Sequence, residues 1–135
     1  MSILGLGVMI HSLSNRGNGY EEVEPLLGKV IESAVIVNRD ELRLTVGGRT
    51  IFVSDEGQSC CEDRYLHTDD ILRDYIGAVL IEFNLEDAPN APANYGNHEV
   101  QFLRVKTSKG IFTVETHNEH NGYYGGFSIM FRVRE

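Results

Sequence analysis

The chain has no tryptophan, only three prolines and two cysteines, and relatively little positive charge. Each scarcity excludes something. The cysteines, Cys60 and Cys61, are adjacent. Neighbouring cysteines are poorly placed to close a disulfide within one domain, so nothing here calls for an oxidising compartment and the cytoplasm is the expected location. No stretch approaches the roughly 18 consecutive apolar residues a membrane helix needs. The N-terminal MSILGLGVMIHSL lacks a basic leader region and a small-residue cleavage site, and reads as a strand or packed arm. Lys and Arg number 12 against 20 Asp and Glu, a formal net charge of −8. That balance repels phosphate backbones, so direct nucleic-acid binding is not expected.

What remains describes one domain. At 135 residues with 41% hydrophobic content, the chain can bury a single core, with six Phe and six Tyr to fill it. Residues 1–20 read as an arm and a Ser/Asn/Gly-rich loop. Glu21 to Leu27, with Pro25 inside, predicts one short helical turn stopped by Gly28. Lys29 to Asn38 is a β-branched run suited to a strand. Glu41 to Val46 alternates with period two, Gly47-Gly48 supplies a tight turn, and Arg49 to Ser54 returns, with Leu42, Leu44 and Val46 on one face. Cys60 to His67 predicts another strand, and Thr68-Asp69-Asp70 an N-cap for a helix reaching Ile76. Ala78 to Leu85 is a strand followed by a proline loop over 86–97. A second hairpin joins His98 to Lys106 with Ile111 to Thr116. Glu115 to Gly126 reads as a polar cluster, and Phe127 to Arg134 closes the sheet.

The second half resembles the first. Leu27-Gly28-Lys29-Val30-Ile31 matches Ile76-Gly77-Ala78-Val79-Leu80 at an offset of 49 residues. Leu42-Arg43-Leu44 matches Leu103-Arg104-Val105 at 61, and Ile51-Phe52-Val53 matches Ile111-Phe112-Thr113 at 60, the proline loop supplying the difference. The expected fold is α+β, mainly antiparallel sheet with two short helices. It comprises two pseudo-repeated units of helix, strand, hairpin and strand over 21–68 and 69–135. Exposed hairpin edges in such a fold favour a homo-oligomer.

A Cys-Cys-Glu element after a hairpin (Cys60, Cys61, Glu62), a Gly stop at Gly77 and an Asn-Gly-Tyr-Tyr element at Asn121 to Tyr124 resemble a family of short uncharacterised bacterial and phage proteins. The resemblance runs from about Leu26 to Phe131, and the arm and proline loop depart from it. It implies a host range and a fold, with no catalytic residues to carry over; a role countering host defence fits the small size, the acidity and the lack of a catalytic motif.

The candidate chemistry follows from the two polar clusters. Cys60, Cys61, His67, His117 and His120 include zinc-ligand atoms, but adjacent cysteines on a strand point to opposite faces, so no metal or other cofactor is expected. A hydrolase using zinc, or Cys61 with His117, is an alternative without a recognised nucleophile element. Binding is better supported. Tyr123 and Tyr124 among glycines and amides offer flat, amphipathic contact area, and Arg64, Arg104, Arg132 and Arg134 offer guanidinium forks for phosphate. With Cys61, Glu62, His117 and Asn121, the two tyrosines, Arg64 and Arg104 form the candidate site of a non-enzymatic protein. Its expected ligand is a small nucleotide-like molecule, or else a host protein bound by an acidic inhibitor or nucleic-acid mimic.

Overall fold

In a computed structural model, residues 17–57, 62–87, 98–120 and 126–135 are described below. The alternation in the sequence becomes eight strands. They are β1 (Ile31–Val37), β2 (Glu41–Val46), β3 (Arg49–Asp55), β4 (Glu62–His67), β5 (Leu80–Asp87), β6 (His98–Thr107), β7 (Gly110–His120) and β8 (Ile129–Arg134). They form two four-stranded antiparallel sheets, ordered β1-β2-β3-β8 and β4-β7-β6-β5. Each sheet is a three-stranded meander extended by one strand from elsewhere in the chain. Among the described residues, no helix is long and apolar enough to cross a membrane.

Helix is scarcer than the sequence implied. Helix α1 spans only Tyr20–Val23 and passes into a 3₁₀ turn at Glu24–Leu26, where Pro25 is tolerated because it lies at the turn's start. The helix expected over 69–76 is a 3₁₀ turn at Leu72–Tyr75. Its expected cap is diverted: the Thr68 hydroxyl takes the Asp70 amide, while the Asp70 carboxylate accepts the amide of Thr113 on β7 at 2.8 Å. Side chains that cap strands cannot also cap a helix.

One apolar cluster serves both sheets. Leu42, Leu44 and Val46 do share the inward face of β2, with Ile51 and Val53 of β3 and Leu103, Val105, Phe112 and Val114 of the other sheet in the same core. Three rings join the layers: Tyr20 lies 5.1 Å from Phe131 of β8 and 6.0 Å from Phe83 of β5, and those two are 5.4 Å apart, all edge-on.

Among the described residues, the sheets also meet through backbone at an isolated bridge, Val30 with Val79. Around it the bonds come in pairs. Gly28 N–H donates to Leu80 O at 2.7 Å and Gly77 N–H to Ile31 O at 2.8 Å; Ile31 N–H donates to Ala78 O and Leu80 N–H to Lys29 O, at 2.8 and 2.9 Å. Gly28 and Gly77 both need positive φ, 94° and 93°, and β1 and β5 each carry a register shift just after this point.

Glycine is required for different reasons at two positions. At Gly28 (φ +94°) a Cβ would meet nothing within 4 Å, so Gly28→Ala should cost only conformational strain of about 1–2 kcal/mol. At Gly19 (φ +89°) a Cβ would sit 2.0 Å from the Phe131 carbonyl oxygen. Gly19→Ala should therefore lose clearly more stability than Gly28→Ala, read as urea midpoints at equal slope.

Candidate functional site

Strands β4, β7 and β6 run side by side, and side chains directly opposite one another share a face. Strand β7 continues to His120, so the polar cluster from Glu115 to His120 is strand, beyond the expected end of the hairpin arm at Thr116. Glu62 opposite His120, Arg64 opposite Asn118 and Asn118 opposite Glu99 extend the inward face beyond the apolar core. Tyr65 opposite His117, and Glu119 opposite His98, lie on the outward face. One end of this sheet thus carries two polar assemblies back to back.

The inner assembly is built on Arg64. Its guanidinium donates to both Asp55 oxygens at 2.8 and 3.0 Å, to Glu62 at 2.8 and 3.2 Å, and to the Gly126 carbonyl at 3.1 Å. Asp55 belongs to the other sheet and also accepts the Ser128 and Gly57 amides, at 2.8 and 3.3 Å. Asn118, fully buried, donates to Glu62 and to the Gly126 carbonyl, both at 3.0 Å, and its own Oδ1 has no partner among the described residues. Glu99 accepts the Gly126 amide at 2.8 Å and stands 3.2 Å from His120. The side chains of Asp55, Glu62 and Arg64 are 3%, 2% and 6% exposed, so this is an interior network, unsuited to gripping a phosphate in solvent.

The network is acid-rich, two carboxylates sharing one guanidinium. Burial pulls on the Arg64 guanidinium, yet its bonds to Glu62 and Asp55 hold it above its usual range. Burial raises the Asp55 carboxyl, more than the Ser128 amide and Arg64 lower it.

The outer assembly starts at a strained turn. Asn38 and Arg39, with φ of 54° and 63°, make the turn between β1 and β2, closed by Asp40 N–H to Val37 O at 3.1 Å. The Arg39 carbonyl accepts the Leu66 amide at 2.6 Å, docking the turn on β4 and setting the Arg39 guanidinium 4.4 Å over the Tyr65 ring. Tyr65 is stacked on His117, 4.7 Å between centroids and 6° from parallel. Nδ1 of His117 faces Nε2 of His98 at 2.9 Å, its Nε2 faces Glu115 at 3.0 Å, and the Tyr65 hydroxyl donates to Glu119. Burial first, then the Glu119 carboxylate, push the Tyr65 hydroxyl up to about 12, so it stays a donor at neutral pH.

Among the described residues, the expected binding residues therefore do not share one face. Arg64 and Glu62 face inward, and His117 faces outward on the same sheet. Arg104 lies farther along β6, bonded to Glu86 at 2.7 Å and Thr113 at 3.1 Å. Cys61, Asn121, Tyr123 and Tyr124 fall outside the described residues. Asp55, Glu99, Asn118, Tyr65 and His98 were missed. For Asn118 and His120 a signal existed, since the inward row of β7 continues from Phe112 and Val114 in steps of two.

An antiparallel two-sheet protein with a buried ion cluster beneath a preordered aromatic and histidine face is the class this geometry defines. The chain belongs to a family described as a domain of unknown function, DUF7448, whose model matches residues 24–130. No curated protein and no solved structure matches it.

The Asp55 carboxyl yields a prediction with a sign. The stability conferred by its raised folded-state value is fully present below the ordinary 3.8 and is lost as pH rises through that raised value. The stability of the wild type relative to Asp55→Asn should therefore fall as pH is raised from 3.8, in urea unfolding followed across a pH series.

Proposed function

We infer that this chain is a non-enzymatic binding protein whose contact surface is the outward face of the β4-β7-β6-β5 sheet, and that its occupant is a protein presenting basic side chains. The observation that carries this is the ordered stack Arg39–Tyr65–His117, held at the surface with its rotamers already spent. Tyr and Arg fixed before contact lose little entropy on binding, which is why such residues dominate interface energetics. The face is acidic: Asp63, Glu82, Glu86, Glu115 and Glu119 outnumber Arg39, Arg104 and Lys106. Complementary charge then steers a basic partner.

The nucleotide-like ligand is the second reading, and it moves to the other sheet. Arg64 is buried among its carboxylates, whereas Arg43 and Arg132, although paired with Glu41 and Glu56, stand about half exposed. On the outward face of the first sheet, Arg43 and Arg132 flank Phe52 in one cross-strand row, with Arg43 5.4 Å over the ring and Arg134 one row away. Arginines around a half-exposed aromatic ring suit a stacked, phosphate-bearing molecule.

We also read the chain as two copies of one unit, each ending in a strand given to the other's sheet. The bonds paired around Val30 and Val79 support this. Aligning inward residues gives an offset of 61 for Leu42 with Leu103 and also for Ile51 with Phe112, which replaces the offset of 60 in the last hairpin strand.

Arg39→Gly separates binding from folding. Glycine accepts the positive φ that Arg39 adopts, offsetting a cation–π loss of about 0.5–1 kcal/mol, so thermal stability should be unchanged or higher. A partner captured by the wild type and by Phe52→Ala, released at high salt and at least tenfold weaker for Arg39→Gly, supports the first reading. Equal capture by all three proteins removes it. For the second reading, a panel of nucleoside mono-, di- and triphosphates should raise the melting temperature of the wild type but not of an Arg43→Ala/Arg132→Ala variant. An unchanged melting point across the panel removes that one.

A further inference from the structure

The outward face of the β4-β7-β6-β5 sheet brings nitrogen and oxygen donors together in a way that neither reading requires. We propose that His98, His117 and Glu119 form a half-buried site for one divalent transition-metal ion of the zinc class. Nε2 of His98 and Nδ1 of His117 face each other at 2.9 Å. Two nitrogens on one tetrahedral zinc ion stand about 3.3 Å apart. The rings need to part by a few tenths of an ångström and to turn until both lone pairs point at the ion, His98 moving its proton to Nδ1 by way of solvent.

The backbone register creates this closeness. His98 lies opposite Glu119 and Val100 opposite His117, so the two histidines are diagonal neighbours on one face with the carboxylate between them. The far side of His117 is also prepared. Its Nε2 stands 3.0 Å from Glu115, and a carboxylate there favours the tautomer whose Nδ1 keeps its lone pair. Metal-binding histidines ordinarily have such a partner.

The carboxylate ligand has to swing in. Among the described residues, no three such side chains stand ready around a metal position. Glu119 lies 3.9 Å from Nε2 of His98 and is bonded to the Tyr65 hydroxyl. Its side chain is 49% exposed, so a change of rotamer meets little resistance. Two imidazoles and one carboxylate favour zinc, cobalt, nickel or copper over magnesium or calcium, and leave coordination positions to water. The site stands on its own geometry and does not rest on the partner-binding reading.

Cobalt(II) chloride titrated into the chelator-stripped full chain tests the proposal. One equivalent should bind, with visible d–d absorption that zinc then displaces. His98→Ala and His117→Ala should each abolish the bands, and Glu115→Gln should weaken binding by about 10–100-fold. A Cys60→Ser/Cys61→Ser variant should bind as the wild type does. Bands retained in His98→Ala, or lost in the cysteine variant, overturn the assignment. Independently of any variant's folding, histidine nitrogen NMR of the wild type with zinc should shift Nε2 of His98 and Nδ1 of His117. The absence of both shifts at millimolar zinc overturns it as well.

Discussion

A single buried guanidinium holds one end of the two sheets together. Arg64 projects from β4 in one sheet to Asp55 at the end of β3 in the other, and the same group binds Glu62 and the Gly126 carbonyl. Taking these charges out of water costs several kcal/mol per ion, and the mutual attraction offsets that only where nearly every lone pair and proton is matched. The planar fork of arginine allows the match, reaching two carboxylates and a carbonyl at once. At the other end, the sheets are joined by the Val30–Val79 bridge and the Tyr20, Phe83 and Phe131 rings.

This constraint reaches the surface through strand parity. With Arg64 and Asn118 facing inward, Tyr65 and His117 must face outward one residue along, where they stack. The turn at Asn38 and Arg39 then closes over Tyr65. Arginine at positive φ is strained by roughly 1–2 kcal/mol, and a residue held against its preference at an exposed ring is a mark of use more than of stability. Interior network and outward face are thus two sides of one piece of sheet, and a change in register would exchange them.

Much of this was legible in the residues. The hairpin at Gly47-Gly48, the inward face of β2 and the glycine stops at Gly28 and Gly77 follow from turn chemistry and period-two alternation, which are local. The short helix after Asp70 was misjudged because Thr68 and Asp70, good capping residues in isolation, are claimed by β7. The described part of the candidate site is divided for a related reason. Arg64, His117 and Arg104 were grouped by chemical type, whereas the fold sorts them by face and row, and each already faces a carboxylate.

The sequence by itself determined where strands run, where they turn and which residues on each strand share a side, because alternation and glycine act within a few residues. It could not determine that β4 would pair with β7 and β8 with β3, since those pairings join distant segments through backbone groups every residue carries. Tertiary structure alone decided that a histidine of β6 would meet a histidine of β7, that an arginine in a turn would lie over a tyrosine of the other sheet, and that Asp55 would share its charge with Arg64. The physical reason is register: one residue's slip in any of these ladders leaves the composition unchanged and turns the whole arrangement inside out.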